Sequence, residues 1–208
     1  MLHTQTVEPG TFSLLKKLMS IPELAGFTLV GGTALSLRYG HRTSIDLDLF
    51  TTGSFDYFTL TTALQNTFSE NFKHENKDSK FAIFCFINGI KVDFIKYPHK
   101  QIDATITEDS IRIYSSKDIA AMKIQAILGR GRKKDFWDLA EIFTHYSLEE
   151  IIGFHSQKYP SHQLLISIPQ AIIYFDEAEE SEAPKSMKGQ TWKSVKKVIQ
   201  QRVNDYLR

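Results

Sequence analysis

The spacing of hydrophobic residues changes along the chain, and the change falls near residue 115. Before it, short apolar runs dominate. Phe27-Thr28-Leu29-Val30 reads as a buried strand, and Gly31-Gly32-Thr33 as a turn opening a short helix over 34–39 that Gly40 stops. Residues 44–50 alternate strictly, with Ile45, Leu47 and Leu49 on one face and Ser44, Asp46 and Asp48 on the other, the mark of a half-buried strand. Runs 81–87 and 90–97 flank Asn88-Gly89, a dipeptide suited to a two-residue hairpin turn, and in that hairpin Phe84 lies opposite Asp93. Helices are expected over about 11–20 and 55–70.

After residue 115 the period becomes helical. Ser115-Ser116-Lys117-Asp118 reads as a capping box, with Ser115 as cap, launching a helix to about residue 128 whose core face includes Ile119 and Met122. The basic loop Gly129-Arg130-Gly131-Arg132-Lys133 leads into a helix over 134–146, where Phe136, Leu139, Ile142, Phe143 and Tyr146 share one face. Further helices are expected over 148–158, 162–176 and 190–207, the last two separated by an acidic, Pro-containing linker at 177–188. The pattern predicts an α+β protein: a mixed sheet flanked by helices in residues 1–115, and a helical part in 116–208.

Composition narrows the partners. Lys and Arg number 25 against 24 Asp and Glu, so no global field draws in a polyanion, which must be met locally. The single cysteine, Cys85, sits in an apolar run; this fits core packing and a reducing compartment, and excludes a disulfide framework or a thiolate zinc site. No stretch approaches the roughly 18 apolar residues of a membrane span, so the expected location is the cytoplasm, with no membrane partner. Seven histidines are scattered without paired spacing, although His41 stands beside Arg42.

The chemistry resides in carboxylates. Asp46 and Asp48, two apart on one strand face, place their Cα atoms about 6 to 7 Å apart, a spacing that suits two ligands of one hard cation. Crowded in a cleft, they make best sense as a magnesium site, with manganese as the alternative ion, completed by phosphate oxygens and water. Asp93 interrupts Val92-Asp93-Phe94-Ile95, where a lone acid is costly, and is the natural third ligand. Acids at such positions also occur on solvated sheet faces and hairpin edges. Gly31-Gly32-Thr33 offers small residues and free N–H groups to a phosphate, although the same tripeptide serves as an ordinary strand-to-helix turn capped by Thr33. Arg42 is positioned to meet phosphate charge bidentately.

These residues resemble the AbiEii/AbiGii toxin family of nucleotidyltransferases, within the wider polymerase-beta-like nucleotidyltransferase fold. The likeness rests on Gly31-Gly32-Thr33, on Arg42-x-Ser44-x-Asp46-Leu47-Asp48-Leu49-Phe50, on Met122-Lys123 and on Lys134-Asp135-Phe136-Trp137-Asp138-Leu139. It continues into the tail through Tyr174-Phe175-Asp176-Glu177-Ala178-Glu179, Pro184 and Trp192-Lys193-Ser194-Val195-Lys196. The resemblance implies that Asp46 and Asp48 bind metal, that Gly32 and Thr33 face a nucleoside triphosphate, and that Lys123 and Asp135 complete the site; Gly31, Arg42 and Ser44 are expected among the nucleotide contacts from their place in the pattern. It also implies a toxin that modifies RNA, with tRNA 3′ ends as the leading acceptor, and a cognate antitoxin as partner. Two other readings stay open: a protein side-chain hydroxyl as acceptor, or a nucleotide-binding module without turnover.

Overall fold

The structure is a computed structural model that describes residues 1–74 and 81–208. Among the described residues the strands form one seven-stranded sheet. In chain order they are β1 (Thr28–Val30), β2 (Leu47–Thr51), β3 (Phe72–His74), β4 (Ala82–Ile87), β5 (Ile90–Lys96), β6 (Ile106–Glu108) and β7 (Ile111–Ile113), and in space β3-β4-β5-β2-β1-β7-β6. β1 pairs parallel to β7 and β2 parallel to β5, while the other neighbours are antiparallel, so the sheet is mixed as the sequence predicts. The central position of β1 explains its unbroken apolar run, since Thr28, Leu29 and Val30 are all buried. Asn88 and Gly89 adopt φ of 53° and 76°, the left-handed pair that closes a tight hairpin, and Phe84 does pair with Asp93.

The helices are α1 (Pro9–Met19), α2 (Gly31–Tyr39), α3 (Tyr57–Phe68), α4 (Ser116–Gly129), α5 (Lys133–Ile142), α6 (Leu148–Lys158), α7 (Ile168–Ile172), α8 (Asp176–Glu179) and α9 (Trp192–Tyr206). None is long and apolar enough to cross a membrane. The helix expected over 162–176 is only the short α7, entered by Pro169 with Ser167 as its cap, and α8 starts at the last residue of that span and runs into the stretch read as linker. A buried apolar cluster runs from Leu2 to Val203 through sheet and helices alike. It joins the two parts through α2, which packs on β1 and β2 and also on α4 and α5.

Three local expectations differ. β2 starts at Leu47, so Ile45 is not on a buried strand face but 66% exposed in the lead-in. Helix α2 begins at Gly31 and not after Thr33, so Thr33 is no cap. Ser115 does cap α4, its Oγ accepting from the Asp118 N–H at 3.1 Å. The Asp118 carboxylate accepts from the Ser115 hydroxyl at 2.7 Å and not from the Ser115 backbone, and it also accepts from Ile102 N, Asp103 N and the buried Lys158 Nζ, the last at 2.6 Å. That pair fastens α6 to the start of α4.

One further element bears on the site. Residues 185–187 return alongside 41–43: Thr43 N donates to Lys185 O, Met187 N donates to His41 O, and Arg42 bridges to Ser186 in antiparallel sense.

Candidate active site

The sheet sets the first half of the site. Register places Val30 beside Asp48 and Asp48 beside Asp93, so the two acids stand on adjacent parallel strands and on the same face. Immediately after β1 the chain turns at Gly31 with φ +72°, a conformation that disfavours any side chain. A Cβ at Gly31 would lie 2.5 Å from Asp48 Oδ2, so the Asp48 carboxylate is laid directly against the first turn of α2. Thr33 uses its hydroxyl to tie that turn to the β2 lead-in, donating to the Asp46 carbonyl and lying 2.8 Å from Ser44 Oγ.

The three acids differ in their partners. Asp46 meets Lys134 Nζ at 3.4 Å, and Asp93 meets Lys91 Nζ at 2.7 Å through Oδ2 while its buried Oδ1 has no partner. Asp48 has no ion pair or hydrogen bond of its own among the described residues. Burial, then the neighbouring Asp93 charge, raises its carboxyl above the usual range, with Lys123 and Lys91 acting in the opposite sense. Among the described residues no three acids, histidines or cysteines are grouped closely enough to hold a metal ion as they stand. The donor set nevertheless fits a hard cation: hard oxygen ligands, one orphaned buried oxygen and one carboxyl whose charge is uncompensated.

The helices supply the second half. Asp138, fully buried on α5, accepts from Arg42 Nε at 2.6 Å and Nη2 at 2.8 Å, from His41 Nε2 at 2.7 Å, and pairs with Lys123 Nζ at 2.7 Å. Asp135 takes a second proton of the same ammonium at 2.8 Å. Burial works against Asp138's charge, but Arg42 and Lys123 outweigh it and hold the carboxyl well below the usual range. Burial likewise opposes charge on Lys123, and Asp135 with Asp138 overrides it, raising the ammonium.

Arg42 is where geometry departs most from the sequence reading. Its fork is bidentate, as expected, but on Asp138 and not towards a phosphate, with Nη1 donating to Thr43 O. Gly32 serves this packing: a Cβ there would lie 2.1 Å from Arg42 Nη2. Asp138 entered the sequence reading only within the motif Lys134 to Leu139, and Lys91 did not enter it at all. Lys91 lies two residues before Asp93, and the same period-2 count that paired Asp46 with Asp48 would have put it on the site face. Cys85 is core, as expected, its thiol pushed up to about 12 by burial and by Asp93.

A cleft of about 830 Å³ opens beside Asp46, walled by Arg130, Arg132 and Lys134 on one side and by Glu177, Glu180 and Glu182 on the other.

A mixed sheet presenting two acids in register beside a glycine turn into a helix, with a lysine entering from a helical half, is the arrangement of a nucleotidyltransferase. A family model described as nucleotidyl transferase AbiEii toxin, Type IV TA system, matches residues 13–199, and the chain belongs to that family. An uncharacterized protein of Aquifex aeolicus (strain VF5) is 32% identical over 199 residues, spanning 93% of this chain and 94% of its own. MenT4, a nucleotidyltransferase toxin from Mycobacterium tuberculosis H37Rv, shares the fold at a TM-score of 0.57 and 11% identity, over 94% of this chain and 84% of its own.

Proposed function

We propose that the protein moves a nucleoside monophosphate from a nucleoside triphosphate to an acceptor hydroxyl, using one divalent cation held by Asp46, Asp48 and Asp93. Magnesium suits the all-oxygen donor set, with manganese as the alternative. When bound, the cation supplies charge neutralisation at the phosphates and polarises the reacting phosphoryl group. The acceptor oxygen forms the new bond to the α phosphorus, the bond to pyrophosphate breaks, and the hydroxyl proton departs towards Asp93, whose Oδ1 has a free lone pair.

The chain's own groups do the rest. The first N–H groups of α2, opened by Gly31, receive triphosphate oxygens. Lys123, whose charge already acts on Asp48, offsets the charge that grows on the leaving pyrophosphate. Asp135 and Asp138 keep that lysine charged and aimed, and Arg42 anchors the loop bearing Ser44 and Asp46. Domain roles follow the same division, with residues 1–115 as the nucleotidyltransferase core and 116–208 as the helical part completing the site.

The acceptor in this reading is RNA, with tRNA 3′ ends foremost, and the setting is a cytoplasmic toxin restrained by a cognate antitoxin, in keeping with the family description. The observation that carries the proposal is the Asp48 to Asp93 register with Gly31 packed against Asp48. The test is transfer from α-labelled ATP, CTP, GTP and UTP, with and without magnesium, onto total tRNA and cell protein, comparing wild type with Asp48→Asn. Label on tRNA that needs magnesium and drops about a thousandfold or more in the variant is expected. Label on protein alone moves the acceptor to a side-chain hydroxyl, and binding without any label marks a module without turnover.

A further inference from the structure

Strand β4 carries alternate residues inward and outward. Ile83, Cys85 and Ile87 are buried, whereas Phe84 and Phe86 are 38% and 40% exposed on the face that bears the catalytic acids. Their neighbours are given by register. Phe84 lies opposite Asp93, which lies beside Asp48; Phe86 lies between Lys91 on β5 and Lys73 on β3. Directly opposed residues bring their Cβ atoms to about 5 Å. The two rings, two residues apart on one strand, are about 7 Å apart. The result is a short row of exposed aromatics that starts beside the carboxylates and runs along β4 towards the hairpin turn, its second ring between two cations.

An exposed phenylalanine pair on a sheet face costs solubility and adds nothing to the core, since the opposite face of β4 already fills it. The exposed Lys73 beside Phe86 argues against an apolar protein partner, whose matching surface would leave its ammonium without water, while Lys91 on the other side is already paired with Asp93. Rings and lysines together suit a ligand with flat faces and a charged backbone. Aromatic rings that stack bases, flanked by cations that follow phosphates, are the general means of holding single-stranded nucleic acid without reading its sequence. The protein's near-neutral net charge makes such a local arrangement necessary.

We propose that Phe84 and Phe86, with Lys73 and Lys91, form the acceptor platform: the single-stranded end of an RNA lies across β3 to β5, its last bases on the two rings, its terminal hydroxyl beside Asp93. This rests on the reading of RNA as acceptor. The platform reads stacking and charge, so it selects for an unpaired end and tolerates its base sequence.

The test measures binding of a short 5′-labelled single-stranded RNA by fluorescence anisotropy, together with nucleotidyl transfer to the same RNA. The proteins are wild type, Phe84→Leu/Phe86→Leu, Phe86→Trp and Lys73→Gln. The leucine pair keeps apolar bulk but removes stacking, and is expected to raise the RNA Kd and KM at least tenfold while the KM for triphosphate holds. Phe86→Trp keeps or tightens binding, and Lys73→Gln flattens the dependence of Kd on salt. If wild type labels RNA and the leucine pair binds and labels it equally well, the platform is wrong and the RNA reading stands. If wild type labels protein and does not bind the RNA, the acceptor reading fails and takes the platform with it.

Discussion

Asp138 is fully buried and Asp48 partly buried at one site, yet they end on opposite sides of the ordinary carboxylate range. Burial pushes each upward. Around Asp138, Arg42, His41 and Lys123 converge with donors, and the balance turns downward. Around Asp48 no donor converges, Asp93 adds like charge, and the balance stays upward. A carboxylate with all its partners inside the protein is a joint. One with its partner missing is a receptor for a charge that comes from outside. The helical half of the site is therefore finished by folding, whereas the sheet half is left, in the proposed reaction, for substrate and cation to finish.

The comparison is broken most directly at Asp138. Asp138→Ala strands the buried Arg42 charge and leaves Lys123 with Asp135 alone, and is expected to cost about 3–5 kcal/mol in urea unfolding; a loss below ~1 kcal/mol would show that the network is not a joint. Gly31→Ala comes next, placing a methyl against Asp48 Oδ2 at a positive φ. Strain there is expected to cost about 1–2 kcal/mol, with transfer activity falling further than stability does.

Asp48→Asn should act with the other sign. A raised carboxyl in the folded state gives stability that is full at low pH and is lost as pH rises through the raised value, and asparagine has no such loss. The variant's melting midpoint is expected about 2–4 °C above wild type at neutral pH, with the gain vanishing as pH falls into the ordinary carboxylate range. A destabilised variant at neutral pH would contradict the reading of Asp48 as uncompensated. The smallest effect is expected at Lys134→Ala, which removes a partly exposed 3.4 Å pair with Asp46. Its unfolding free energy should change by less than about 0.5 kcal/mol, so any larger effect would make that pair part of the joint.

Local chemistry was legible where it is self-contained. Asn88-Gly89 specifies its hairpin, strict alternation points Asp48 inward with the site, and Ser115 starts α4, all from residues within a few positions of one another. The β6 to β7 hairpin was missed because Asp109 and Ser110 make the left-handed turn at φ 50° and 66° without a glycine to advertise it. Phe84 and Phe86 were read as strand and not as surface, because alternation shows two faces without saying which one is covered. Arg42's partner was out of reach for another reason. Asp138 lies 96 residues further along, and no local pattern distinguishes an arginine aimed at a phosphate from one clasped by a distant acid.

The return of residues 185–187 alongside 41–43 gives the enzyme an order of assembly during synthesis. The loop between Gly40 and β2, which bears Ser44 and Asp46, emerges early, but the backbone groups of His41 and Thr43 find their partners only after more than two-thirds of the chain has followed. Closing so long a stretch is slow compared with forming the local hairpin and helices. A ribosome that has made the sheet, the glycine turn and all three acids still holds an unfinished strap beside the site, which closes only once residues 185–187 have been made.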